Sequence, residues 1–148
     1  MPYADWYVLM FRPERMIVKR EAFALVVLIA GIAPVQAQDA AAGETVFKVC
    51  AACHDIGDTA KNRMGPVLTG VVGRTAGTYE GFKYSKAMVD AGAGGLVWDA
   101  DTLDRFLISP NDFVKGTKMV GISVKDATDR ANVIAYLSTF SPGGGEAK

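Results

Sequence analysis

The chain is 148 residues long, with 16 basic residues balanced by 16 acidic ones, two cysteines and a single histidine. That balance excludes a nucleic-acid binder held by bulk charge, and three Cys/His side chains fall one short of a structural zinc site. The length suits one small domain with a modest core.

The first 37 residues have the layout of a secretory signal peptide. Lys19 and Arg20 precede an apolar stretch from Ala22 to Ile32, and Val35-Gln36-Ala37 offers a small-residue cleavage site. The stretch is shorter than the about 20 residues that cross a bilayer, so permanent membrane insertion is not expected; an uncleaved anchor is the alternative. Met16 offers a second start, which would make residues 1–15 an upstream extension. Cleavage would leave a domain over residues 38–140, a flexible tail over 141–148 and a formal net charge of −1, in the periplasm. Lys83, Lys86, Lys115, Lys118 and Lys125 are candidates for a local basic patch.

From Ala40 to Cys53, Val46, Phe47, Val49 and Cys50 recur at helical spacing, which predicts a short helix. It delivers Cys50-Ala51-Ala52-Cys53-His54, the C-x-x-C-H attachment pattern of a c-type haem. Two thiols spaced by two residues add to the two vinyl groups of one porphyrin, and the adjacent His54 becomes the proximal iron ligand. A thioredoxin-like redox pair would need a β-α-β setting, which the flanks do not supply. A disulfide across so short a loop is strained and leaves His54 without a role.

Asp55 to Gly95 is rich in glycine and reads as turns and loops. A loop of that length argues against a compact domain unless the chain wraps a flat cofactor. Tyr84 to Ala91 is expected to form a brief helix. Asp99 to Ser109 carries Leu103, Phe106 and Leu107 in an i, i+3, i+4 pattern that Pro110 stops. A last helix opens at Lys125 or Asp126, carries Val133, Ile134 and Leu137, and ends before Ser141. No strand alternation is present, so the fold class is all-α: a small single domain of three main helices, with short helices and long loops around one covalent haem, the terminal helices crossing.

With no second histidine, a thioether is the natural ligand opposite His54. Met64, Met88 and Met119 are available. Met64 stays with the loop beside His54, Met88 suits gap-filling in a core, and Met119 lies in a loop between two helices. Position favours Met119, with Met88 next.

From about Gly43 to Leu137 the chain resembles class I c-type cytochromes of the mitochondrial and α-proteobacterial soluble group. The resemblance rests on Cys50–His54, Gly65-Pro66-Val67-Leu68, Gly70-Val71-Val72-Gly73-Arg74-Thr75-Ala76-Gly77, Gly81-Phe82-Lys83-Tyr84-Ser85, Trp98, Gly116-Thr117-Lys118-Met119 and Ile134-Ala135-Tyr136-Leu137. It implies Met119 as distal ligand. It further implies that the Pro66 carbonyl accepts the second ring N–H of His54, that Arg74, Tyr84, Ser85 and Trp98 bind or neutralise the haem propionates, and that Thr117 bonds a propionate or a buried water. Gly43 and Phe47 resemble positions that pack against Val133 and Tyr136.

The chain also departs from that pattern. Phe106 stands where the family commonly has a tyrosine bonded to the methionine sulfur, and Met88 stands where asparagine is common, which implies a drier pocket. The segment after Met119 is shorter by two residues than the mitochondrial form and lacks its surface phenylalanine. The stretch from Gly92 to Leu96 is slightly longer.

The resemblance implies a non-enzymatic, monomeric, periplasmic one-electron carrier with a six-coordinate His/Met haem c. It would dock transiently on redox proteins such as a quinol-oxidising bc complex and a terminal oxidase or photosynthetic reaction centre. The alternatives are a dedicated electron-accepting subunit of a periplasmic dehydrogenase, and a sensor or weak peroxidase opened by a labile Met119.

Overall fold

The computed structural model describes residues 38–141. The expected signal peptide, the second start at Met16 and all of the expected tail except Ser141 lie outside the described residues.

Five helices follow one another: α1 (Ala40–Cys50), α2 (Lys86–Ala93), α3 (Ala100–Ile108), α4 (Pro110–Phe113) and α5 (Ala127–Ser138). Among the described residues the sole β pairing is an isolated bridge between Thr75 and Val97. The all-α class and the three main helices, α1, α3 and α5, match the expectation; the boundaries differ for local reasons. Helix α1 starts where the Asp39 carboxylate accepts the N–H groups of Ala41 and Ala42. It stops at Cys50, three residues before the expected end. The amides of Cys53 and His54 then both turn back to the Cys50 carbonyl, at 3.0 and 2.9 Å.

The brief helix lies two residues later than expected. Ser85 is extended and its side-chain oxygen accepts the Met88 N–H, so the helix begins at Lys86. Helix α3 opens with a reciprocal capping box between Asp99 and Thr102. Pro110 does end α3, but it also opens α4 as its first residue, where its fixed φ and missing N–H cost nothing. Helix α5 begins after Asp126, whose side chain accepts the Asp129 N–H.

Helices α1 and α5 pack directly on each other. A Cβ at Gly43 would collide with the Asn132 carbonyl, so the absence of a side chain there lets the backbones meet. Phe47 then lies against Tyr136, with ring centroids 5.3 Å apart, and Asn132 Oδ1 accepts the Asp39 N–H at 2.9 Å. Phe47, Leu103, Phe106, Leu107, Val133 and Leu137 join Val71, Met88 and Trp98 in the core. The glycine-rich segment between α1 and α2 holds few regular bonds, and glycines such as Gly70 and Gly77 take positive φ, a conformation other residues adopt at a cost.

Candidate haem site

The loops and helices enclose a cavity of about 300 Å³. Leu68, Val71, Leu103, Phe106, Leu107, Val133 and Leu137 form much of its wall, an apolar setting suited to a flat hydrophobic cofactor. Cys50, Cys53 and His54 also line it, as do Pro66, Arg74, Tyr84, Ser85, Trp98 and Met119. The structure therefore brings together nine of the ten side chains expected at the site. Thr117 is the exception. It is buried but does not line the cavity, and its hydroxyl oxygen accepts the Met119 N–H at 3.3 Å.

His54 is held through Nδ1, which lies 2.7 Å from the Pro66 carbonyl. A carbonyl only accepts, so Nδ1 carries the proton and Nε2 keeps its lone pair. Burial lowers the His54 pKa, with the Pro66 bond acting against it, and the ring is neutral at pH 7. The loop that delivers Pro66 is tied back on the attachment turn: the Gly65 N–H donates to the Cys53 carbonyl at 2.8 Å and the Arg63 guanidinium to the Ala51 carbonyl at 2.8 Å. The Arg63 contact carries no sequence signal. Gly65 does, through its Gly-Pro step, and its role is spatial.

Both cysteines are free thiols and partly buried. Burial, with a smaller push from Cys53, holds the Cys50 thiol above its ordinary value despite an opposing backbone bond, so it is uncharged at neutral pH.

Three methionines touch the cavity, and they differ in setting. Met88 is a core residue at 7% exposure, whereas Met64 is 76% exposed. Met119 is half-buried on the loop between α4 and α5, which Lys118 ties down by donating to the Lys83 carbonyl at 3.0 Å.

On the polar side, the Arg74 guanidinium donates twice to the Val67 carbonyl at 3.1 Å and sits 4.8 Å over the Tyr79 ring. Burial pulls it below its usual value, offset in part by Tyr84 and Tyr79, and it stays a cation. Among the described residues no carboxylate pairs with it. Burial likewise pushes the Tyr84 phenol up, so it keeps its proton to donate. Ser85 uses its oxygen to cap α2, which leaves its hydroxyl hydrogen. Trp98 packs on Phe106 at 4.9 Å between centroids; Phe106 has no hydroxyl to offer a sulfur.

This donor set fits a covalent haem. Two thiols and a carbonyl-oriented imidazole stand on one apolar cavity with a thioether, and a half-buried cation without a carboxylate partner awaits an anionic group.

The comparisons agree with the geometry. A family profile described as cytochrome c matches residues 40–141. The chain is 44% identical over 126 residues to a cytochrome c2 of Blastochloris viridis, covering 85% of this chain and 97% of that protein. It is 50% identical over 103 residues to a cytochrome c2 of Rhodomicrobium vannielii, covering 70% and 80%. A solved structure of cytochrome c2 from Rhodospirillum centenum superposes with a TM-score of 0.68 at 42% identity, over 70% of this chain and 99% of that one.

Proposed function

Since the chain belongs to the cytochrome c family and carries one covalent haem c on Cys50 and Cys53, we propose that it is a mobile one-electron carrier of the periplasm with His54 and Met119 as axial ligands. The observation that carries this reading is the placement of the His54 ring and the Met119 thioether on one apolar cavity. The haem supplies the Fe(II)/Fe(III) couple.

The protein's own residues do the rest. Pro66 fixes the imidazole tautomer and plane, which raises the basicity of Nε2. A neutral thioether and apolar walls disfavour the extra positive charge of the oxidised state and so raise the potential. Arg74, with the donors of Tyr84, Ser85 and Trp98, compensates the propionates, which are costly to bury alone. With His54 and Met119 as its two protein ligands, the haem would offer no open position to a substrate, in keeping with transport and not turnover.

Among the described residues no helix is long and apolar enough to cross a membrane, and the leader pattern supports export. The partners are larger redox proteins, a quinol-oxidising complex on one side and a terminal oxidase or photosynthetic reaction centre on the other, met over small transient interfaces.

Met119→Ala in the haem-loaded protein tests the reading. The sulfur-to-iron charge-transfer absorption should vanish and the reduced protein should bind carbon monoxide at neutral pH. An unchanged absorption would remove Met119 as the ligand.

A further inference from the structure

Residues 118–123 form a strap across one wall of the cavity, with Lys118, Met119, Val120 and Ile122 all facing it. Residues 120–123 make no backbone hydrogen bond to the rest of the described chain. The strap is therefore held at its ends. At the front, Thr117 N–H donates to the Val114 carbonyl at 3.0 Å and the exposed Lys118 ammonium reaches the Lys83 carbonyl.

At the rear, one side chain gathers three elements. Arg130 of α5 is buried. Its Nε donates to Asp104 of α3 at 2.6 Å, and its Nη1 donates to the carbonyls of Val124 and Lys125 at 3.1 and 2.8 Å. Val124 N–H donates in turn to the Leu107 carbonyl at 2.9 Å.

Resting on the assignment of Met119 as distal ligand, we infer that Arg130 is a positioning residue for that ligand, clamping the rear of the strap so that the thioether stays over the iron. The physical ground is that a short strap without backbone bonds of its own has its slack limited by where its two ends are anchored, so freeing one end enlarges the set of positions Met119 can take. Arg130 supplies charge-assisted bonds, stronger than neutral ones, from a side chain that is itself buried, while its partner Asp104 stays part-exposed. A planar fork with donors on separate edges reaches a carboxylate and two carbonyls at once; an ammonium does not. Loosening the rear clamp lowers the free energy needed to lift Met119 and hands the distal position to an external ligand.

Imidazole binding to the oxidised, haem-loaded protein reads this directly, because imidazole must displace the distal ligand. Arg130→Met should raise imidazole affinity by about tenfold or more, the scale of one lost charge-assisted bond. Asn132→Ala is the matched control: it removes the bond to Asp39 on the same helix and lowers the melting temperature without touching the strap. It should leave imidazole affinity within about twofold of wild type. Equal affinities in Arg130→Met and Asn132→Ala would overturn the inference, since Arg130 would then act through global stability alone. Should Arg130→Met fail to fold, Arg130→Lys is read the same way. An affinity between wild type and Met119→Ala supports the clamp, and wild-type affinity overturns it. Met119→Ala separates the two readings: if it leaves imidazole affinity unchanged, the ligand assignment itself has failed, whatever Arg130 does.

Discussion

Gly65 lies so close to the imidazole of His54 that a Cβ built on it would stand 2.6 Å from Nδ1 and 2.7 Å from Nε2. The loop passes over the ring with no room for a methyl group, and the backbone itself forms one side of the histidine's slot. Such contact is tighter than van der Waals packing permits, and interiors absorb added volume poorly.

Gly65→Ala should therefore tilt or withdraw the ring and weaken its bond to Pro66. We expect a loss of about 1–3 kcal/mol in stability, the cost of overpacking, together with an altered haem absorption spectrum. Thermal unfolding and spectra of the loaded protein check both; a variant with wild-type spectrum and stability would show that the loop yields.

Arg74→Gln removes a half-buried cation while leaving a side chain able to donate. A positive charge near the cofactor disfavours the oxidised form, so its loss should lower the reduction potential, by roughly 1 kcal/mol at protein-like screening. Redox titration followed by absorbance measures it, and an unchanged or raised potential would contradict the assignment of Arg74 to the cofactor's anionic edge.

Asp99 carries a pH dependence with a definite sign. The backbone N–H of Thr102, then its hydroxyl, hold the carboxyl below its usual value. A depressed native pKa adds stability that is complete above the unfolded pKa and disappears as pH falls through the native one. The gap in melting temperature between wild type and Asp99→Asn should be open at neutral pH and narrow as pH falls below the ordinary carboxylate range. A gap constant with pH would mean that the charge contributes nothing.

What the sequence discloses about this molecule follows the range of the interactions involved. Helix α3 was readable because Leu103, Phe106 and Leu107 share a face and Asp99 caps them, all within one segment. Helix α4 escapes the pattern because a proline that ends one helix can start another, and the pattern shows only the first effect. The end of α1 falls earlier than the spacing suggests because Cys53 and His54 continue the helical pattern while their amides share the Cys50 carbonyl. Cys50, Cys53 and His54 announced their chemistry through spacing alone, and Met119 through its family pattern. Arg130 falls on the apolar stripe of the last helix, but the pattern does not say what it meets. Only the fold shows that its fork closes on residues from α3 and the end of the strap. Thr117 fell outside the cavity wall because its burial is directed to the backbone of Met119.

The contact between Asp39 and Asn132 spans 93 positions, so the helix that bears the attachment turn finds its packing partner near the far end of the domain. A chain made from its N-terminus exposes Cys50 and Cys53 long before α5 exists to cover α1. The face of α1 that carries Gly43 and Phe47 therefore stays uncovered until both ends of the domain are present, and a chain cut before α5 leaves it bare.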